Sequence, residues 1–269
     1  MNLIEVKNLS FSYIKEEIVL KNVSINFGVG SIAIIGQNGS GKTTFVKLLK
    51  GLLKPTEGDI FINGKNTKDT TAAKLAREIG MVFQNPNDQI FKNRVIDEVM
   101  FGPVNTGQNL QEAQENSLKA LEMVDMLDKE NENPYDLSLS ERKLITIASI
   151  LAMNTGIVIF DEPTIAQDYH GKNRLKKIIE ELVSSGKLVI TITHDMDFVA
   201  ETSKRVVVLN QGEVLLDGDT KYVFSKSDIL KTAYLEPPSI TQFCSMLGYG
   251  KAFLSVEEFI RYRSAKESI

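Results

Sequence analysis

Residues 36–44, with the sequence GQNGSGKTT, combine glycines with side chains that bind a polyphosphate. The glycines let the backbone turn tightly so that consecutive N–H groups point inward, and a helix starting near Lys42 adds the positive end of its dipole. Lys42 supplies a point charge for the β- and γ-phosphates, and the hydroxyl of Thr43 is a ligand for Mg²⁺. The stretch predicts a phosphate-binding loop for a nucleoside triphosphate. We expect the nucleotide to contact Asn38, Gly39, Ser40, Gly41, Lys42, Thr43 and Thr44.

Two acidic residues end a strand that the sequence predicts to be buried on both faces. Residues 157–160 are a continuous apolar run, and Asp161 and Glu162 follow directly. Ligands of open α/β sheets bind at the carboxyl ends of the strands. We therefore expect Asp161 to bind Mg²⁺ through water and Glu162 to orient or deprotonate the attacking water. The structural alternative is that Asp161 caps a helix ahead of Pro163.

Gln84 and His194 also follow predicted buried strands. Gln84 opens a polar loop that contains Pro86, and its amide oxygen suits Mg²⁺ or the attacking water. His194 follows the run 188–193, from which it can hydrogen-bond a γ-phosphate. A turn residue at 84 and a structural histidine at 194 are the alternatives that the local sequence leaves open.

The elements that must position these side chains follow an α/β pattern. Strand-like runs at 4–13, 18–27 and 31–35 deliver the chain to the phosphate loop. Tyr13 ends the first of these runs, and its ring either stacks on adenine or is a half-exposed strand aromatic. From about residue 95 to 153 the periodicity becomes helical, which indicates a helical insertion.

The last fifty or so residues lack the strand pattern. Ser239 is predicted to cap a helix, and Ser255 with Glu258 to cap the final one. The first of these helices should bury one apolar face, formed by Ile240, Phe243, Cys244 and Leu247. Because two short amphipathic helices cannot bury a core of their own, we expect them to pack on the domain or on a partner.

Composition limits the classes of function. The 269 residues are 42% hydrophobic and 25% charged with a formal net charge of −4, so the chain has no basic footprint for nucleic acid. The N-terminal residues alternate like an edge strand and do not form a signal peptide, so the expected compartment is the cytosol. No run approaches the roughly 18 apolar residues that span a bilayer. Cys244 is the single cysteine, which excludes an internal disulfide.

In their order along the chain, these motifs resemble the ATPase subunits of ATP-binding cassette (ABC) transporters. Under this resemblance Tyr13 is the adenine-stacking aromatic, Gln84 belongs to the glutamine loop, and His194 is the switch histidine. Residues 157–162 match the strand that carries the Mg²⁺ aspartate and the catalytic glutamate. ATP and Mg²⁺ are the implied cofactors. The implied catalytic residues are Glu162, His194 and Gln84, and the implied metal ligands are Thr43, Gln84 and Asp161.

The resemblance also implies the fold. It is the α/β fold of an ABC-type P-loop ATPase, with a mixed sheet, a helical subdomain insertion and a small C-terminal helical extension. The nucleotide-binding domain is expected to span 1–218, with the helical subdomain at about 86–155, and the extension to span 219–269.

Three short stretches, at 83–91, 101–103 and 234–239, resemble the energy-coupling-factor (ECF) and cobalt-uptake type of ABC ATPase. Importers of this type take up vitamins or transition-metal ions. The implied partners are an integral membrane coupling subunit and a substrate-binding membrane subunit, at the cytoplasmic face of the membrane. The loop 84–91 and the helices after it are expected to receive coupling helices in a groove.

In this family each nucleotide is clasped between one subunit's phosphate loop and the other's Leu-Ser-Gly-Gly-Gln signature. At that position this chain reads LSLSE over 137–141, so Ser138 remains and both glycines are replaced. Glycine lets N–H groups approach the γ-phosphate, and the side chain of Leu139 crowds that approach. The turn at 164–168 also departs from the usual glycine- or serine-containing pattern.

These departures predict asymmetry. The site on this chain's own phosphate loop should hydrolyse ATP, whereas the site where Ser138 and Leu139 face the partner's nucleotide should turn over poorly. The expected partner is a second ABC ATPase subunit with an intact signature, in a heterodimer.

Other P-loop proteins fit the order of motifs less well. A kinase or GTPase does not account for Gln84 and His194, and a chromosome-organising ATPase would need a long coiled coil that the sequence lacks. A translation-type ABC factor would carry two cassettes in one chain. The main alternative within the family is a nucleotide-binding regulatory subunit with little turnover, which the altered signature favours and the intact Glu162 opposes.

Overall fold

The computed structural model describes residues 2–14 and 17–267, and the strands within these ranges form two sheets. Apolar runs or alternating apolar residues account for most of the strands. The strands are β1 (Asn2–Ser12), β2 (Ile18–Gly28), β3 (Gly30–Ile35), β4 (Glu57–Ile62), β5 (Lys65–Asn66), β6 (Ile79–Val82), β7 (Ile157–Asp161), β8 (Leu188–Ile192), β9 (Arg205–Asn210) and β10 (Glu213–Asp219).

The larger sheet has the strand order β10-β9-β3-β8-β7-β6 and is mixed. Its strands β9, β3, β8, β7 and β6 pair in parallel, and β10 is an antiparallel edge strand. Every residue of β7 and β8 is buried, which agrees with their continuous apolar runs because parallel strands are covered on both faces. The register pairs Asp161 with Ile192, so the residues that follow these strands lie at one edge of the sheet.

The smaller sheet is antiparallel, with the order β2-β1-β4-β5. The described residues also form α-helices. They are α1 (Lys42–Leu49), α2 (Ala72–Leu75), α3 (Val95–Thr106), α4 (Leu110–Met123), α5 (Leu139–Ala152), α6 (Tyr169–Ser184), α7 (Met196–Thr202), α8 (Thr220–Ser225), α9 (Ser227–Thr232), α10 (Ser239–Met246) and α11 (Val256–Glu267). In the ranges that the structure describes, no helix is both long and apolar enough to cross a bilayer.

Two large cores lie on opposite faces of the larger sheet. One joins that sheet to the smaller sheet through α1, where the rings of Phe27 and Phe45 are 6.3 Å apart. The other packs α3, α4, α5 and α6 against residues such as Val158 and Phe160 of β7. The helices α3–α5 fall within residues 86–155, where the sequence predicts the helical insertion.

A third core continues past β10 into the C-terminal segment. Phe224 of α8 and Leu230 of α9 share it with Ala33 and Ile35 of β3. The predicted domain boundary at 218/219 therefore separates residues that contribute to one core, and the division itself stays a prediction.

The C-terminal helices differ in detail from the sequence-based expectation. The N-cap of α10 is Pro238, and Ser239 instead donates its hydroxyl to Asp197 at 2.7 Å. Cys244 is buried as expected, whereas Phe243 and Leu247 are exposed on the described chain, so packing of these two side chains on a partner stays a prediction. Within α10, Cys244 packs in a cluster with aromatic residues of the segment that follows the helix. Its members are Phe253, Phe259, Tyr249, Tyr262 and Ile240.

Candidate functional site

The phosphate loop joins the interior strand β3 to α1. Gly39 and Gly41 have φ angles of 80° and 103°, a region that L side chains avoid. Gly36 is required by a close approach, since a Cβ there would lie 2.2 Å from the carbonyl oxygen of Leu209 on β9. Gly41 is the N-cap of α1 and contributes no side-chain hydrogen bond, which leaves N–H groups of the first turn to an anion.

Lys42 folds back on the loop that precedes it. Its Nζ donates hydrogen bonds to the carbonyl oxygens of Gly36 at 2.6 Å and Gln37 at 2.9 Å. Burial lowers the pKa of Lys42 against the opposing effect of two nearby carboxylates. In the same loop the Oγ of Ser40 is buried and has no hydrogen-bond partner among the described residues. Buried donors of this kind would be satisfied by the oxygens of a polyphosphate.

The loop opens onto a cleft of about 190 Å³. The cleft brings together strand-end residues from β6, β7 and β8 because these strands are neighbours in the parallel part of the sheet. Nearly all of the predicted site residues line it. The lining residues are Val19, Asn38, Gly39, Ser40, Gly41, Lys42, Thr43, Thr44, Gln84, Asp161, Glu162, Ile192 and His194.

Glu162 and His194 face each other across the strand ends. Nε2 of His194 lies 3.3 Å from Oε1 of Glu162, and the side chain of Glu162 is only 8% exposed. The backbone N–H of Glu162 donates to the carbonyl of Ile192 at 2.8 Å, which joins the loops after β7 and β8. Glu162 has a φ of 47°, in the left-handed region that is uncommon for a residue with a side chain. This conformation turns consecutive acidic residues into the same cleft.

Asp161 lies at the carboxyl end of β7 with the carboxylate of Glu162 beside it. Burial and then the charge of Glu162 raise the pKa of Asp161, while Lys143, Lys42 and His194 act in the opposite direction. A cation in the cleft would remove the repulsion between the two carboxylates.

The donor set along the cleft fits Mg²⁺. The side chains of Thr43, Gln84 and Asp161 carry oxygen atoms, the ligand type that this ion prefers. No group of three or more His, Cys, Asp or Glu side chains suited to a metal occurs in the described part of the chain. Most of the coordination shell would therefore come from phosphate oxygens and water, as is usual for Mg²⁺ beside a nucleotide.

Lys143 is a residue near the site that the sequence analysis missed. It is 1% exposed on α5, and burial lowers its pKa to about 8. Its Nζ donates to the carbonyl oxygens of Phe83 at 2.7 Å, Gln84 at 3.0 Å and Asp161 at 3.1 Å. The signal in the sequence was a lysine within an otherwise buried helical face.

The altered signature segment lies away from the cleft. Ser138 and Glu141 form a capping box at the start of α5, in which the backbone N–H of Ser138 donates to Oε2 of Glu141 at 2.8 Å and the backbone N–H of Glu141 donates to Oγ of Ser138 at 3.3 Å. Ser138 does not line the cleft, and Leu139 is 42% exposed at the start of α5. Beside it, Ile165 from the altered turn is 43% exposed, and both line an apolar cavity of about 250 Å³. The two departures in sequence thus form one apolar surface.

Tyr13 lies close to the phosphate loop without lining the cleft. Its hydroxyl is 3.2 Å from Oγ1 of Thr44, and its ring packs edge-on against Phe11 with centroids 4.9 Å apart. The ring is 55% exposed, so one face is open to a planar group beside α1.

Comparisons with known proteins agree with this arrangement. Residues 20–165 match the model of the ABC transporter family. A putative ABC transporter ATP-binding protein of Pyrococcus furiosus is 45% identical over 259 residues, which cover 96% of this chain and 98% of the relative. The energy-coupling factor transporter ATP-binding protein EcfA of Methanocaldococcus jannaschii is 35% identical over 250 residues, covering 92% of this chain and 90% of the relative.

Two solved structures are similar in fold. One is cbiO1 from Clostridium perfringens, described as part of the ABC transporter complex cbiONQ, with a TM-score of 0.77 and 30% identity over 91% of this chain and 99% of that one. The other is an ATP-binding cassette dimer in a post-hydrolysis state bound to ADP and Pi, with a TM-score of 0.74 and 29% identity over 81% of this chain and 99% of that one. With the phosphate loop and the strand-end residues in one cleft, the chain belongs to the ABC transporter family, as an ATP-binding subunit that hydrolyses ATP.

Proposed function

We propose that this chain powers an ECF-type importer of vitamins or transition-metal ions, as one half of an asymmetric ATPase heterodimer. The observation that carries the proposal is a contrast within the chain. Lys42, Glu162 and His194 converge on one cleft, whereas Leu139 occupies the place of a signature glycine. Similarity to EcfA and to cbiO1 supports the ECF type.

In the proposed reaction the phosphate loop holds ATP by its N–H groups and by Lys42, and Tyr13 stacks on adenine. Glu162 accepts the proton of the attacking water or orients it, because its buried carboxylate lies at the mouth of the loop. His194 donates a hydrogen bond to the γ-phosphate. Gln84 places its amide at the same end of the cleft and contacts either the water or the metal ion.

Thr43, Gln84 and Asp161 would hold Mg²⁺. When bound, the ion neutralises charge on the β- and γ-phosphates and makes the γ-phosphoryl group easier to transfer. Asp161 then contributes its carboxylate at the end of β7, and its high burial keeps that side chain oriented.

The signature segment of this chain would face the nucleotide bound to a second cassette. Ser138 can hydrogen-bond that nucleotide, but the Leu139 side chain takes the space next to it. An intact signature from the partner would complete the site on this chain. The dimer bound to ADP and Pi among the similar structures shows that a related cassette pairs with a second copy.

A membrane coupling subunit would dock on the loop after Gln84 and on α3. Phe91 and Phe101 are both exposed there, with ring centroids 4.6 Å apart, and Lys92 lies over both rings. Tyr135 supports this surface by donating its hydroxyl to the carbonyl of Ile90 at 2.9 Å. Apolar aromatic groups beside a cation are suited to an amphipathic helix of a membrane subunit. The proposal places the chain at the cytoplasmic face of the membrane, with a substrate-binding membrane subunit in the same complex.

The test uses the transporter purified with all of its subunits. Glu162→Gln on this chain should abolish transport and leave only the slow ATP hydrolysis at the partner's nucleotide, whereas the equivalent change on the partner cassette should have a smaller effect. Transport near the parental rate in the Glu162→Gln complex would sink the assignment of the hydrolytic site to this chain.

A regulatory subunit with little turnover is the second candidate, and the exposed Leu139 is the observation that favours it. Single-turnover hydrolysis with the partner present separates the two functions. Burst formation of ADP at this chain's site supports the hydrolytic role, and bound ATP that stays intact supports the regulatory one.

A further inference from the structure

Lys143 connects three elements that meet at the edge of the ATP cleft. It lies in the N-terminal part of α5, the helix that begins after Ser138. The carbonyls that accept its hydrogen bonds belong to Phe83 and Gln84, which follow β6, and to Asp161, which ends β7. One ammonium group therefore joins the helix of the signature segment to two strand ends of the cleft.

These hydrogen bonds lie beside an apolar cavity. The cavity of about 250 Å³ lies between Gln84, Leu139 and Ile165, and Lys143 lines it as well. A second hydrogen bond also holds the start of α5, because Nε2 of Gln167 donates to the carbonyl of Ser140 at 3.2 Å.

A buried ammonium remains in a low-dielectric site only when hydrogen-bond acceptors compensate it. All three acceptors of Lys143 are backbone carbonyls of the cleft edge, so a displacement of α5 must either break these bonds or move that edge. Because Gln84 and Asp161 also carry side chains into the cleft, such a displacement changes their position relative to a bound nucleotide.

We propose that Lys143 is a positioning residue that couples the N-terminal turn of α5 to Gln84 and Asp161 at the ATP site. The proposal rests on the proposed function, because it presumes ATP on the phosphate loop and a second nucleotide facing the start of α5. Through Lys143, occupation of either nucleotide site biases the geometry of the other. Lys143 does not touch the substrate itself.

The test measures hydrogen exchange of the full chain with and without ATP and Mg²⁺. In the parental protein, nucleotide should protect residues 36–44, 83–91 and the start of α5. Lys143→Met keeps an unbranched side chain that is one atom shorter, and it removes the donors. We expect protection of 36–44 to be unchanged, and the ATP-dependent protection at the start of α5 to fall by about half or more.

Lys187→Met is the matched control. Lys187 also donates to a backbone carbonyl, that of Thr155 at 2.7 Å, but this lies ahead of β7 at the opposite end of the strand. The control should keep the parental response of α5. A second readout is the rate of hydrolysis, where Lys143→Met should lower kcat about tenfold and leave the KM for ATP within about twofold.

Parental protection of α5 in the Lys143→Met variant would overturn the inference and leave the proposed function intact. Absence of protection at 36–44 in the parental protein would instead overturn the proposed function. If Lys143→Met does not fold, Lys143→Gln replaces it, since glutamine keeps two N–H donors on a shorter side chain. The ATP-dependent protection of α5 is then expected to be lower than in the parental protein, and protection equal to the parental level contradicts the proposal.

Discussion

Nε2 of His194 lies 3.3 Å from Oε1 of Glu162, and the backbone N–H of His194 lies 3.4 Å from the other oxygen of the same carboxylate. The loop after β8 therefore contacts the carboxylate that follows β7. We expect Glu162→Gln to lower steady-state ATP hydrolysis about 100-fold or more, because the amide is no base for water. ATP binding, measured by fluorescence with a nucleotide analogue, should stay within about twofold. Comparable loss of binding and hydrolysis would contradict a role limited to the chemical step.

The His194→Ala variant tests the other side of this contact. His194 is about half exposed and is free to turn toward a phosphate. We expect hydrolysis to fall about tenfold or more with little change in the melting temperature. His170 is the matched control, because it is exposed at the start of α6 and does not line the cleft. A similar loss in His170→Ala would indicate a general effect of removing an imidazole.

Removal of the Lys42 ammonium should weaken the binding of ATP. Lys42→Ala deletes a charge that is buried at the mouth of the loop and leaves the glycines in place. We expect ATP to bind about tenfold or more weakly, as measured by calorimetry. Lys47→Ala on the exposed side of the same helix is the control and should bind ATP like the parental chain. Equal affinities in all proteins would show that ATP binds elsewhere.

Restoring a glycine in the signature should raise the rate of ATP hydrolysis at the partner's nucleotide. Leu139→Gly removes a side chain from the first turn of α5, so N–H groups can approach a phosphate. We expect hydrolysis at the partner's nucleotide, isolated by Glu162→Gln on this chain, to rise about threefold to tenfold. Leu110→Gly is the control, because Leu110 is likewise the first residue of a helix after an N-cap, Asn109. An equal rise in the hydrolysis rate of the Leu110→Gly variant would show that the effect does not depend on the signature.

Lys50 provides a prediction about stability and pH. Lys50 is the C-cap of α1, and burial lowers its pKa from 10.5 to about 8. Below pH 8 both the folded and the unfolded chain carry the charge, so the cost of burying it is present in full. Between about pH 8 and 10.5 the unfolded chain binds more protons, so this group's destabilisation fades as the pH rises.

Lys50→Met should therefore raise the free energy of unfolding at pH 7 by about 1 to 3 kcal/mol. The advantage should shrink as the pH approaches 10, which denaturant unfolding at several pH values can measure. Lys47→Met should change the free energy of unfolding by less than about 0.5 kcal/mol. An advantage of Lys50→Met that grows with pH would contradict the sign of the effect.

Much of the cleft could be predicted because parallel strands present their carboxyl ends at one edge. The apolar runs before Gln84, Asp161 and His194 were sufficient to place those residues together, and the register of β7 and β8 confirms that proximity. The phosphate loop could also be predicted from its glycines, because the positive φ angles at Gly39 and Gly41 require this residue type.

Other features depend on contacts that no local pattern encodes. Lys143 donates to backbone carbonyls of residues far away in the sequence. Because every residue type has a backbone carbonyl, the sequence does not show which residues accept these hydrogen bonds. The left-handed φ of Glu162 is similarly set by its surroundings and not by its residue type. In the C-terminal segment, Phe243 is exposed, whereas Ile240 and Cys244 of the same predicted face pack against aromatic residues further along the chain.

The core shared by α8, α9 and β3 has a consequence for how the chain can be shortened. Phe224 and Leu230 share one buried core with Ala33 and Ile35 of β3, the strand that leads into the phosphate loop. A chain cut at residue 219 would lose these two side chains from the core that β3 helps to form. If this C-terminal segment is grafted onto another cassette or exchanged between relatives, the residues of β3 that share its core must be transferred together with it.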